Sequence, residues 1–229
     1  MTPICTPAYT HTVAPICTPT MGLSTALTCT PTPTVSVVYR PYAGIGSRDI
    51  PIGPLRRLLI QVGGGLARNG FTLRSGGARG CDSLFEYGHR NSEPRNGGPE
   101  IQPPEIFRPE PPPPEWTFRL VREFLDPGRE WETFSPGVQN LLARNMQQVL
   151  GRNGDSPSLF VLYWTEAETY EGPEAGGTRY ALRCAERYGV PMLNLGRIAV
   201  PGVRPGSDSV ADVLNWCRAR SDDLVKRPQ

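Results

Sequence analysis

Residues 71–89, FTLRSGGARGCDSLFEYGH, constrain the fold more than any other stretch of the chain. Phe71-Thr72-Leu73 reads as a short strand that breaks into Ser75-Gly76-Gly77-Ala78-Arg79-Gly80, after which a helix begins near Asp82. The three glycines let backbone N–H groups converge on one point with no Cβ in the way, and the helix adds its positive N-terminal end. That arrangement suits a phosphate. An ordinary glycine-rich turn between strand and helix would read the same way. In both cases a strand feeding a helix through a tight turn is the unit of a parallel sheet covered by helices.

The same unit recurs on either side. Val35, Val37 and Val38 lead into Tyr42-Ala43-Gly44-Ile45-Gly46-Ser47-Arg48, a first strand closed by a Gly-Ser-Arg turn. Asp49-Ile50-Pro51 then precedes a helix whose apolar face carries Leu55, Leu58, Leu59, Val62 and Leu66. Gly63-Gly64-Gly65 in that face weakens the helix, or permits close packing on a sheet. Regular structure resumes at Trp116–Leu125, and a helix is predicted from about Pro136 to Leu150, with Ser135 as cap and Pro136 at its first position. Leu159–Trp164 is the clearest buried strand. Gly176-Gly177-Thr178 opens the next helix, Val190–Asn194 is a last strand, and Ala211–Ala219 forms a final helix. The expected fold class is therefore α/β: a single Rossmann-like domain over residues 35–221, with a mostly parallel sheet and helices on both faces.

Three segments stand outside that pattern. Residues 1–34 repeat Cys-Thr-Pro at Cys5, Cys17 and Cys29 and are too poor in large apolar groups to offset their ordering entropy, so a disordered tail is expected. A true start at Met21 or later would explain the tail equally well. Residues 91–115, rich in Pro, Gly, Glu and Asn, read as an insertion, with a short strand at Glu105-Ile106-Phe107 and a proline run at Pro111–Pro114. That run is a stiff surface linker or, alternatively, an SH3-type ligand. Residues 222–229 are expected to be loose.

Composition limits the function classes. A net charge of +2 excludes a globally basic nucleic-acid coat but allows a local patch, and Arg40 to Arg95 holds nine arginines against four acids. Glu100 to Glu132 holds eight acids and four arginines, so that side is expected to repel nucleic acid. No CxxC pair occurs and the two histidines complete no zinc spacing, so neither metal nor cofactor is expected. No apolar run approaches the roughly 18 residues of a membrane span.

Gly44–Arg48, Ser75–Gly80 and Gly176–Thr178 each lie where a parallel strand hands over to a helix. In an open α/β sheet such loops gather at the carboxyl edge, where ligands bind. The spacing matches neither the dinucleotide GxGxxG fingerprint nor a Walker A loop.

GIGSR at 44–48, LRSGGARGCDSLFEYG at 73–88, ARN at 143–145, and FVLYWT followed by GGTRYAL at 160–182 occur in the order and spacing of the SLOG superfamily. Within it the chain resembles the DNA-processing protein A family (DprA/Smf), especially its short phage-encoded members. The resemblance implies a Rossmann-like fold, single-stranded DNA as partner, a role in DNA recombination beside a RecA-type recombinase, a homodimer, and a cytoplasmic setting in the host. It carries the site onto Ser47 and Arg48, onto Ser75, Gly76, Ala78, Arg79, Gly80 and Asp82, and onto Arg144 and Asn145, while the edge loops themselves add Gly46, Gly77, Gly176, Gly177 and Thr178. Arg48, Arg79 and Arg144 would be forked donors to phosphate oxygens, and Asp82 an orienter of the loop. Where the family has Ala-His, this chain has Phe85-Glu86, and the glutamate of the LOG-type PGGxGTxxE loop is missing after Gly176-Gly177-Thr178. A second reading stays open: a nucleotide-processing enzyme cleaving the N-glycosidic bond of a nucleoside monophosphate, or a nucleotide sensor, with Glu86 or Asp82 as carboxylate.

Overall fold

The computed structural model describes residues 38–166, 169–171, 175–196 and 209–225. The expected tail at 1–34 lies outside them. Five strands form one parallel sheet: β1 (Pro41–Gly46), β2 (Thr72–Ser75), β3 (Glu105–Ile106), β4 (Val161–Trp164) and β5 (Met192–Asn194). Six helices cover it: α1 (Pro54–Ala67), α2 (Cys81–Arg90), α3 (Glu115–Arg122), α4 (Pro136–Leu150), α5 (Thr178–Arg187) and α6 (Ser209–Val225). The strand order is β3-β2-β1-β4-β5, so the chain winds outward from β1 in one direction and then returns to wind outward in the other. The loops after β1 and β4 consequently diverge at the topological switch point.

Side-chain alternation along the strands builds two cores. Tyr42, Leu73 and Leu162 pack with Leu59, Phe85 and Val213 on the face covered by α1, α2 and α6. Ala43, Ile45, Val161 and Tyr163 pack with Val121, Met146 and Leu182 on the face covered by α3, α4 and α5. The period of two that separates Tyr42 from Ala43, and Leu162 from Val161 and Tyr163, is the strand pleat itself.

The glycines of α1 serve a different contact from the one expected. A Cβ on Gly63 would meet the Phe85 carbonyl oxygen at 2.7 Å, and one on Gly88 would meet the Ile60 carbonyl oxygen at 2.0 Å. Gly63 and Gly64 let α1 approach α2 and the residue just past its end, while Gly65 faces α6, where a Cβ would meet the Leu214 side chain at 2.8 Å.

The 91–115 segment is tied into the sheet. β3 pairs with β2, and buried Arg74 of β2 donates to Glu105 (2.8 Å), to the Tyr39 hydroxyl (2.9 Å) and to the Ser156 carbonyl. The proline run is fixed as well: Pro113 is buried and Pro114 immediately precedes α3. At α4, the Ser135 carbonyl accepts the Gln139 N–H at 2.9 Å while the Ser135 hydroxyl makes no capping bond. The last helix outruns its expected end at Ala219, so residues 222–225 are helical where a loose tail was expected. No described helix is long and apolar enough to cross a membrane.

Candidate phosphate-binding edge

Two open cavities, of about 550 and 590 Å³, lie at the carboxyl edge and share Arg48 and Asp49 at their common rim. The first sits on the α4/α5 side, lined by the end of β1, by α4 and by the start of α5. The second sits on the α1/α2 side, lined by the β1–α1 loop, Gly80, Ser83 and Trp164.

The loop after β1 forms the rim. The Ser47 N–H donates to the Trp164 carbonyl (2.9 Å), its carbonyl accepts the Cys81 N–H (3.1 Å), and its hydroxyl accepts the Asp49 N–H (3.2 Å). One short turn thereby links β1, β4 and the start of α2. Gly80 permits this close approach: its φ is +94°, and a Cβ there would lie 2.3 Å from the Ser47 carbonyl oxygen. Any side chain at 80 would push the two loops apart.

The glycine-rich loop directs its donors inward. The Gly76 N–H (3.1 Å) and Ala78 N–H (3.4 Å) both reach the buried Asp82 carboxylate, which also meets Arg144 at 3.5 Å. Two of the N–H groups expected to cradle a phosphate therefore hold the chain's own carboxylate, in keeping with an orienting Asp82. Burial pushes the Asp82 carboxyl up, against the pull of Arg144 and the two loop N–H groups. Gly76 is bare because the Arg144 guanidinium lies on it: a Cβ would meet Nη1 at 1.3 Å.

Most of the residues expected at the site line the first cavity: Gly46, Ser47, Arg48, Ala78, Asp82, Arg144, Asn145, Gly176, Gly177 and Thr178. Asn145 donates to the Gly177 carbonyl at 2.9 Å and so fixes the turn into α5. Arg79 and Gly80 line the second cavity instead, and exposed Arg79 is paired with Asp49. Ser75, Gly76 and Gly77 line neither, supporting the loop from behind: the Ser75 carbonyl accepts the Phe107 N–H (2.8 Å) and the Gly77 carbonyl accepts Arg108 (3.2 Å). Glu86 lines neither cavity and is paired with Arg90 one turn along α2 (2.7 Å).

Sequence reasoning missed the opposite wall. Arg129, from the stretch expected to repel nucleic acid, and Phe134 line the first cavity together with Gln148, Arg179 and Tyr180. Asp126 gathers this wall: it meets Arg179 and Arg183 at 2.8 Å each and Arg129 at 3.7 Å. Burial works to raise the Asp126 carboxyl, and the arginines, Arg183 foremost, outweigh it and hold it below the ordinary range. Net acidity over a long stretch concealed one inward arginine. Its only local signal was the Asp126–Arg129 spacing.

Among the described residues, Arg48 is exposed and has no carboxylate partner, whereas Arg79, Arg129, Arg144 and Arg179 each have one. Four buried polar groups on lining residues lack a hydrogen-bond partner among the described residues: Arg144 Nε, Gln148 Nε2, Arg179 Nε and the Tyr180 hydroxyl. Buried polar groups without partners are rare, and four of the ten found among the described residues lie on the lining of this cavity. No group of three or more potential metal-ligating side chains occurs among the described residues.

No family model matches the chain, and no curated protein matches it in sequence. Two solved structures are similar in fold. DNA processing protein A from Helicobacter pylori, described for its unique single-stranded DNA binding mode, aligns with a TM-score of 0.44 and 20% identity over 82% of this chain and 80% of that one. DNA processing protein A from Streptococcus pneumoniae aligns with a TM-score of 0.43 and 19% identity over 78% of this chain, which spans 56% of that protein.

Proposed function

We propose that this chain binds single-stranded DNA, or a shorter nucleotide-phosphate ligand, across the carboxyl edge of its sheet. The observation that carries the reading is Arg48: an exposed guanidinium without a carboxylate partner among the described residues, on the rim shared by two cavities. A guanidinium held there can grip two oxygens of one phosphate. The first cavity offers Arg144 and Arg179 beyond it, with Leu141, Leu142 and Phe134 as an apolar wall beside which a base can rest. Volumes of 550–590 Å³ lie within the usual range of small-molecule sites. With Asp82 committed to the loop and Glu86 committed to Arg90, neither carboxylate is favoured as a catalyst.

The test is fluorescence anisotropy with a labelled oligothymidylate, and separately with nucleoside monophosphates, titrated with the full chain at low salt. A charge-assisted contact of about 1.5–3 kcal/mol implies that Arg48→Ala weakens oligonucleotide binding roughly 10- to 150-fold. Equal affinities for wild type and Arg48→Ala would remove the site assignment, and no binding by wild type would remove the function. The family resemblance extends the proposal to DNA recombination, with a RecA-type recombinase as partner and a homodimer as the working form. Pull-down with purified RecA and sedimentation equilibrium test those two extensions.

A further inference from the structure

We infer that Asp49 is a specificity-determining residue, a resident carboxylate that a ligand phosphate must displace from Arg79. The inference rests on the phosphate-binding reading above. It concerns a residue outside every motif that suggested the site.

Asp49 is placed by the same turn that forms the rim. Its N–H donates to the Ser47 hydroxyl at 3.2 Å, and its side chain emerges beside Arg48, lining both cavities. Its carboxylate accepts from Arg79 of the glycine-rich loop. The Arg79 and Asp49 side chains are 77% and 85% exposed, so the pair contributes little to folding. Its effect falls on the ligand instead. A carboxylate beside Arg48 repels an incoming phosphate, and the Asp49–Arg79 pair keeps the Arg79 guanidinium neutralised until something competes for it.

The arrangement makes Arg79 conditional. A phosphate seated on Arg48 alone leaves the pair intact. A chain of phosphates that crosses the rim toward Arg56 and Arg79 can replace the Asp49 carboxylate with a second phosphate. The guanidinium is then re-paired at no loss of charge neutralisation, and Asp49 returns to solvent. An oligonucleotide can make that exchange; a monophosphate held in the first cavity cannot.

Salt dependence separates this mechanism from a structural role. Condensed cations leave the strand in proportion to the net positive charge it meets, and in wild type the Asp49 charge beside Arg79 offsets one of those charges. In Asp49→Asn the Arg79 charge acts in full, and about one more cation is released from the strand. Asp49→Asn is therefore expected to raise oligonucleotide affinity about fivefold at low salt. It should also steepen the slope of log affinity against log salt by about 0.7. In an Arg79→Ala background no phosphate is drawn to Asp49, so the same substitution relieves only the repulsion at Arg48 and should steepen the slope by clearly less. Asp49→Ser should behave like Asp49→Asn, which guards against an effect of the new amide.

An unchanged slope in both Asp49 variants, with wild-type binding present and sensitive to Arg48→Ala, would overturn the Asp49 inference while leaving the site in place. An equal steepening in the Arg79→Ala background would also overturn it, because Asp49 would then act without Arg79. Absence of oligonucleotide binding by wild type would overturn both.

Discussion

Removing the Asp82 carboxylate should unfasten the glycine-rich loop and expose how much of the site is electrostatic framework. In Asp82→Ala the Arg144 guanidinium, itself 6% exposed, stays buried with its counter-charge gone, and the Gly76 and Ala78 N–H groups lose their acceptor. Breaking a buried pair by deleting one partner costs about 3–5 kcal/mol, a large share of the roughly 5–15 kcal/mol by which a domain is stable. For a domain of this size each kcal/mol lowers the melting temperature by about 2–4 °C, so a fall of roughly 6–20 °C is expected. The loss arises mainly from the stranded cation. The double variant Asp82→Ala/Arg144→Met should therefore be more stable than Asp82→Ala alone, since methionine can occupy the space over Gly76 without charge. Urea unfolding followed by circular dichroism reads the free energies, and a thermal scan reads the melting temperatures. A loss below about 1 kcal/mol for Asp82→Ala, or a double variant whose loss is the sum of the two single losses, would refute the reasoning.

Arg74→Met should cost less, about 1–3 kcal/mol, because the Ser156 carbonyl loses its donor while Glu105, one-third exposed, keeps the Tyr39 hydroxyl. Hydrogen exchange should show residues 105–107 losing protection before the centre of the sheet does. Asn145→Ala removes the bond to the Gly177 carbonyl, so a stability loss of only about 1 kcal/mol is expected, with a larger fractional loss of oligonucleotide affinity in the anisotropy assay. His89 is buried with Nε2 donating to the Gln102 carbonyl and Nδ1 lacking a partner among the described residues, and burial lowers its pKa from 6.5. A depressed folded-state value means stability is present above pH 6.5 and is lost as pH falls below it, while the unfolded chain takes up the proton first. The stability–pH curve of His89→Gln should be flatter than wild type between pH 7 and about 5, and coincident curves would count against this account.

The alternation of Tyr42 with Ala43, the helix period through Leu58, Leu59, Val62 and Leu66, and the proline after Ser135 were all legible along the chain. Each is a local signal: pleat and helix pitch turn burial into spacing, and turn chemistry punctuates it. The carboxyl-edge placement of Gly44–Arg48, Ser75–Gly80 and Gly176–Thr178 followed from that pattern, since parallel strands put such loops on one edge. Tertiary structure alone decided which charges meet. Asp82 finds Arg144 across 62 residues, Arg79 is turned toward Asp49 in the second cavity, and Arg129 comes inward from an acidic stretch. A charged side chain carries no periodicity that names its partner, and its pairing depends on where the long-range fold sets its backbone. The same holds for the α1 glycines, which read as a weakened helix or as close packing on a sheet and in the fold face α2 and α6. Local physics wrote the elements and their edge into the sequence, while the electrostatics of the site arose only when distant segments were brought together.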